Sequence, residues 1–349
     1  MSAIRIGTRA IGPGESCFVI AEAGVNHNGD PELARRLIDG AVSAGADAVK
    51  FQTFAAERLA SPIAAKADYQ RTATDAGETQ LEMLRRLELP RSAHGPLMEY
   101  CGRRGIVFMS TPFDEESADF LAELGVPLFK VGSGEITNLP FLAHVAGKAR
   151  PMIVSTGMST LREVEAAVRT VEATGNRSLV LLHCVSSYPA DPADANLRAM
   201  RTMADAFGLP VGYSDHTPGL EVALAAAALG ACVIEKHFTV DRNLPGPDHR
   251  ASLEPGELAL LVRGIRTVEK ALGHGRKEPA ASELGTAAVA RRSLVAARSI
   301  PAGTTLTDEL VAVRRPGTGL PPVMRSRVIG RTAATDIPAG ALLTLEMLR

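Results

Sequence analysis

The chain is poor in the features that mark secreted, membrane-bound or nucleic-acid-gripping proteins. Its four cysteines, Cys17, Cys101, Cys184 and Cys232, are scattered and form no C-x-x-C pair, which excludes a disulfide framework and a zinc ribbon. Long apolar runs are missing: the most apolar stretch, Val222 to Leu229, is far too short to cross a bilayer, and the N-terminal residues lack the apolar core of a secretion signal. Net charge is nearly absent, at −1, so there is no basic excess of the kind nucleic-acid binding needs. The expectation is a cytoplasmic metabolic protein with no membrane and no nucleic-acid partner.

What the chain does have is material for a core. Its 349 residues, 46% hydrophobic and 22% charged, suit one large domain and a small one. To about residue 275 one theme repeats: a short β-rich apolar run, a polar loop, then an Ala/Leu-rich amphipathic stretch. Eight candidate strands emerge: Phe18–Ala21, Ala48–Phe51, Ile106–Met109, Leu128–Val131, Met152–Val154, Leu179–Leu182, Val211–Tyr213 and Cys232–Glu235. Such alternation predicts a parallel sheet with crossover helices. Eight units, and no G-x-G-x-x-G after the first strand, favour an α/β (β/α)8 TIM barrel over a doubly wound sheet. Helix ends are also readable: Asp30-Pro31 starts a helix that stops near Gly45, Thr160 and Glu163 form a capping box, and Thr217-Pro218 opens a helix that ends near Gly230.

The pattern changes after Gly273. We read residues 1–278 as the barrel, 279–289 as a linker and 290–349 as a small β-rich module. In the tail, Ile300-Pro301-Ala302-Gly303 followed by Leu306-Thr307 recurs as Ile337-Pro338-Ala339-Gly340 followed by Leu343-Thr344, which predicts two related turns. From Ala290 to Arg349 nine Arg and no Lys stand against four acids, a balance of +5. So small and basic a module is expected to lean on the acidic barrel or on another subunit.

Barrel enzymes carry reactive groups where strands run into loops, and all eight predicted ends are polar. They deliver Glu22 with Asn26-His27-Asn28-Gly29; Lys50 and Gln52; Ser110 and Thr111; Lys130, Ser133 and Glu135; Ser155 and Thr156; His183 with Ser186, Ser187 and Tyr188; Ser214, Asp215 and His216; and Glu235, Lys236 and His237. Two lysines and several hydroxyls suit a phosphate dianion, and the Gly132-Ser133-Gly134 turn lets backbone N–H groups approach it. His216 and His237, on consecutive strand ends, can hold a divalent ion such as Mn2+, Fe2+ or Zn2+, or can simply be satisfied by hydrogen bonds. Glu22 and Glu235, on the first and last strands, can divide acid and base roles or balance the lysines.

Read together, these strings resemble the sialic acid synthase (N-acetylneuraminate synthase) family along essentially the whole chain. The matching stretches are Ala21 to Gly29, Val131 to Glu135, Ser155 to Met158, Gly212 to Thr217, Ile234 to Phe238, Pro245 to His249 and Ala251 to Pro255. The tail resembles the family's antifreeze-like, SAF-type domain. The resemblance implies condensation of phosphoenolpyruvate with an N-acetylmannosamine-type sugar and water to a nine-carbon 2-keto acid, with release of phosphate. It implies Mn2+ or Mg2+ on His216 and His237, and a phosphoenolpyruvate site made of Lys50, Thr111, Lys130, Ser133, Ser155 and Ser214. Glu22 would activate the water and Glu235 would protonate the new alkoxide. Gln52, Glu135, Tyr188 and Asp248 would face the sugar, and Arg315 would reach its acetamido group from the partner chain of a domain-swapped homodimer.

Two departures leave the acceptor open: Cys184-Val185-Ser186-Ser187 before Tyr188, and Arg71-Thr72-Ala73-Thr74 after Tyr69-Gln70. N-acetylmannosamine, the 6-deoxy diacetamido sugar that leads to legionaminic acid and a spore-coat sugar are all compatible. Two other classes compete, a metal-free Schiff-base aldolase using Lys130 and a sugar-binding protein on a degenerate barrel.

Overall fold

Short runs of Val, Ile, Ala, Leu and Phe form the strands of the large unit, the composition a parallel sheet needs when both faces are covered. The computed structural model describes residues 3–75 and 77–349, and the chain divides into two units, Met1–Gly273 and His274–Arg349. In chain order the strands of the first are β1 Ile4–Ile6, β2 Arg9–Ile11, β3 Phe18–Gly24, β4 Ala48–Thr53, β5 Val107–Pro112, β6 Phe129–Val131, β7 Met152–Ser155, β8 Leu179–Cys184, β9 Val211–Asp215 and β10 Val233–His237. β3 to β10 make one parallel sheet in the order β5-β4-β3-β10-β9-β8-β7-β6. The first and last of them, β3 and β10, lie side by side, and among the described residues no ladder joins β5 to β6. The result is the expected eight-stranded α/β barrel, nearly closed, with one seam.

Side chains alternate across each strand, and the apolar ones separate accordingly. Phe18, Ile20, Ala48, Met109, Ile153, Val180, Leu182 and Val233 pack inside the barrel. Val19, Ala21, Phe51, Phe108, Val131, Leu181, Tyr213 and Ile234 pack outward against the helices. The antiparallel hairpin β1–β2, absent from the sequence reading, adds Ile4, Ile6 and Ile11 to the inner cluster beside the first residues of several strands. It therefore plugs the N-terminal end and leaves the C-terminal end open for chemistry.

Helix ends follow their caps. Asp30 accepts from the Glu32 N–H at the start of the helix Pro31–Ala44, which stops at Gly45 with φ 79°. Thr160 and Glu163 form the capping box of Leu161–Ala173. Thr217-Pro218 does not open a helix as expected. The helix there is Glu221–Ala228, because the Thr217 hydroxyl and N–H are both engaged by Asp215. Among the described residues no helix is long and apolar enough to cross a membrane.

In the second unit β11 Ser293–Ala296 pairs antiparallel with β12 Val311–Arg314. The repeated Ile-Pro-Ala-Gly segments meet: Ile300 and Ile337 exchange both backbone hydrogen bonds, at 2.9 and 2.8 Å, and Leu306 and Leu343 enter the small core. Residues 279–289 hold a short turn, Ala281–Glu283, and most of a helix, Leu284–Ala290.

Candidate active site

Alternation decides which polar strand-end residues reach the mouth. Glu22, Lys50, Gln52, Thr111, Lys130, Ser155, Ser214, Glu235 and His237 continue the inward rows and line one cavity of 660 Å³, together with Ser133, Tyr188, His216 and Asp248. Four other residues read as belonging to the mouth lie on the outward faces. Ser110 shares a 2.7 Å hydrogen bond with Thr53, the His183 ring nitrogen Nε2 meets the Ala195 carbonyl at 2.8 Å, and Asp215 binds Lys236. Glu135 is also not on the cavity wall; its carboxylate accepts from the Asn138 amide at 2.8 Å. Arg315 belongs to the second unit, where Nε donates to the Ala290 carbonyl at 3.1 Å.

Four buried charges occupy the cavity floor. Lys50 Nζ lies 2.7 Å from Glu22 Oε2 and 3.8 Å from Glu235 Oε1; Lys130 Nζ lies 3.5 Å from the same Glu235 oxygen. Hydroxyls complete the shell: Lys130 donates to Ser155 Oγ at 2.7 Å, Lys50 to Thr111 Oγ1 at 3.2 Å, and Ser214 to Glu235 at 3.1 Å. Burial raises the Glu22 carboxyl to about 7 despite the opposing Lys50 charge. Burial also works against the Glu235 charge, but Lys130, Lys50 and the Ser214 hydroxyl outweigh it and hold that carboxyl below the usual range. Neighbouring carboxylates whose affinities are driven apart are equipped to exchange protons in opposite directions. The Lys130 ammonium is pushed down, first by burial and then by Lys50.

The two imidazoles stand with ring centroids 5.4 Å apart, and Tyr188 packs on both, at 4.2 Å from His216 and 5.5 Å from His237. His216 Nδ1 is tied to the Val185 carbonyl at 2.6 Å, which places the proton on Nδ1 and leaves Nε2 with a free lone pair. Burial pushes both histidines below their ordinary values, towards the neutral form that binds metals. His237 Nδ1 is buried with no hydrogen-bond partner among the described residues, and Asp248 Oδ2 lies 4.0 Å from it. An orphaned ring nitrogen beside a second neutral imidazole fits a divalent cation. Among the described residues no group of three or more His, Cys, Asp or Glu is placed to hold one, so the remaining ligands would be water and substrate oxygens.

The Asn26-His27-Asn28 segment is scaffolding. Asn26 Nδ2 donates to the Phe238 carbonyl and to Ser252 Oγ, each at 2.9 Å, and Ser252 passes the bond on to the Asp248 carbonyl at 2.7 Å. That chain presents Asp248, whose carboxyl burial raises to about 6. Gly157 acts similarly: its N–H donates to Ser133 Oγ at 2.9 Å, and a Cβ there would come within 2.9 Å of Ser133 Oγ and Cys184 Sγ.

The sequence reading missed one wall. Val25, Leu59, Met83, Leu84, Leu87 and Phe113 give the cavity an apolar side, and the Tyr69 ring packs at a tilt against Tyr188 with centroids 5.0 Å apart. Among the described lining residues no arginine is present, and the only lysines are Lys50 and Lys130. The helix Gln80–Leu87 carries Met83, Leu84 and Leu87 of this wall, and its apolar positions read as ordinary core from sequence.

The NeuB family profile matches residues 37–277 and the SAF domain profile residues 291–349. The chain is 49% identical over 344 residues to the N,N'-diacetyllegionaminic acid synthase of Legionella pneumophila, covering 97% of each. It is 46% identical over 328 residues to the enzyme of the same name from Campylobacter jejuni, covering 93% of this chain and 98% of that one. Its fold is similar to the crystal structure of the N-acetylneuraminic acid (sialic acid) synthetase of Leptospira borgpetersenii, with a TM-score of 0.73 and 39% identity over 82% of this chain and 95% of that one.

Proposed function

The chain belongs to the NeuB family and is a nonulosonic acid synthase, and on that premise we propose that it condenses phosphoenolpyruvate and water with a 2,4-diacetamido-2,4,6-trideoxyhexose, releasing phosphate. One observation carries this reading: the Lys50–Glu22–Glu235–Lys130 cluster, the His216–His237 pair and an apolar wall that carries no further cation among the described residues share one cavity. The first suits a phosphorylated donor. The wall suits an uncharged acceptor bearing methyl and acetamido groups, in line with the names of the two synthases above. N-acetylmannosamine is the alternative acceptor.

Lys50, Lys130, Thr111, Ser133, Ser155 and Ser214 seat the phosphate and carboxylate of the donor. His216 and His237 would hold Mn2+ or Mg2+, which when bound supplies Lewis-acid polarisation of the acceptor's carbonyl oxygen. Gln52, Tyr188 and Asp248 orient the open-chain sugar. A bond then forms between C3 of phosphoenolpyruvate and the aldehyde carbon, whose oxygen takes a proton. Water adds to the cationic C2, losing one proton to a carboxylate; the C2–O bond to phosphate then breaks as the remaining hydroxyl proton passes to the departing phosphate, leaving the 2-keto acid. Glu22, poised near 7, serves as the base. Glu235 is ionised in the free site, so its service as proton donor requires a phosphate dianion to draw Lys50 and Lys130 away from it.

The same proposal gives Arg315 the acetamido group of an acceptor held by a second copy of the chain in a domain-swapped homodimer. Glu22→Gln and Arg315→Ala chains, each inactive alone, should recover activity on mixing; persistent inactivity would refute the swap. For the reaction itself, phosphate release should require donor, amino-sugar and divalent metal together. Release without the sugar would refute the condensation.

A further inference from the structure

Two of the most deeply buried charges in the large unit take no part in this chemistry. Asp215 is 1% exposed and Lys236 2%, on the outward faces of β9 and β10. Lys236 Nζ donates to Asp215 Oδ2 and to the Thr217 carbonyl, both at 2.6 Å. The other oxygen of Asp215 accepts from the N–H and the hydroxyl of Thr217, at 2.9 and 2.8 Å. One ammonium thus grips both residues that flank His216, and it belongs to the residue immediately before His237.

The backbone explains why such a grip is needed. The β9–β10 ladder ends at the pair Asp215–Lys236, so His216 and His237 sit one residue beyond the last shared rung. His237 has a register partner on its other side, Glu22 of β3, and His216 is held from the β8 side by Val185 and Ala190. Between the two histidine segments the Lys236 ammonium is a direct link, continuing the ladder with side-chain atoms. A buried ion pair contributes little net stability relative to a neutral replacement, whereas residues behind metal-binding histidines govern affinity through orientation.

We propose that Asp215 and Lys236 are positioning residues: their ion pair sets the separation of the His216 and His237 imidazoles and thereby the affinity of that pair for a divalent cation. The inference rests on the imidazole pair being a cation site.

The test is Mn2+ titration of the full chain without substrate, free ion being followed by electron paramagnetic resonance. Lys236→Met alone strands a buried carboxylate, so the deciding variant is the double change Asp215→Asn with Lys236→Met, which removes the charges together and keeps an oxygen for Thr217. It should retain the wild-type melting temperature and circular dichroism, bind Mn2+ at least about tenfold more weakly, and keep its KM for phosphoenolpyruvate, whose proposed seat, Ser214 apart, is carried by β4 to β7 and the turn after β6. Wild-type Mn2+ affinity in the folded double variant would overturn the proposal alone. Failure of the double variant to fold would overturn it too, by showing the pair to be a structural necessity. Wild-type protein that binds no Mn2+ would overturn the cation site and this inference with it.

Discussion

Glu22 and Lys50 are register partners on adjacent barrel strands, and their carboxylate and ammonium groups meet at 2.7 Å with both side chains buried. Each charge makes the other tolerable away from water, and each holds the other at a fixed point of the cavity floor.

Lys50→Met therefore does two things. It leaves Glu22 a buried acid without its nearest cation, which should cost about 3–5 kcal/mol of stability at pH 8. It also removes a donor from the proposed phosphate seat, so kcat/KM for phosphoenolpyruvate should fall by more than about a hundredfold. Chemical denaturation and initial rates measure the two effects separately.

The Glu22 carboxyl, raised to about 7 by burial, sets a pH dependence. If its ionised form takes the water proton, kcat/KM should climb with pH and level off above about 7, and Glu22→Gln should lose both the activity and the rising limb. Stability runs the other way. A carboxyl whose folded value lies above its ordinary 4.5 stabilises the fold below that ordinary value, and the contribution is lost as pH rises through about 7. Relative to Glu22→Gln, the wild type should lose stability across that window, measured by urea unfolding at several pH values.

His216→Ala and His237→Ala should each weaken Mn2+ binding and activity together. Exhaustive chelation should silence the wild type until Mn2+ or Mg2+ is restored. Full turnover in a chelated sample would rule out the metal role.

The apolar wall predicts acceptor choice. The 6-deoxy diacetamido sugar should outperform N-acetylmannosamine, and N-acetylmannosamine 6-phosphate should be poorest, because no cation beyond Lys50 and Lys130 lines the cavity among the described residues. Leu84→Lys, which brings an ammonium to that wall, should narrow the gap for the phosphorylated sugar. Competition assays with paired acceptors give the ratio.

Much of this was legible in the sequence because parallel strands covered on both faces must be apolar, so all eight stand out between polar loops. Face was harder to read. Ser110, His183, Asp215 and Lys236 occupy strand ends just as Thr111, Ser214 and Glu235 do, and two or three polar residues at the end of a short apolar run do not reveal which row points inward until the core residues are placed. The hairpin of Ile4, Ile6 and Ile11 was missed because three-residue strands carry too short an alternation. Met83 and Leu87 were missed because an apolar helix face reads the same whether it packs on protein or leaves one edge open to a ligand. Glu135 follows the Gly132-Ser133-Gly134 turn in the chain, yet the short helical turn Ser133–Glu135 carries its carboxylate to Asn138 instead.

The most direct test of the central claim uses phosphoenolpyruvate carrying 18O in the oxygen that joins C2 to phosphorus, with the diacetamido acceptor and Mn2+. Attack by C3 followed by water at C2 predicts that all the label leaves in inorganic phosphate, beside an equal amount of a product whose mass is donor plus sugar plus water less phosphoric acid. Label retained in the keto acid, or pyruvate trapped on Lys130 by borohydride, would contradict it.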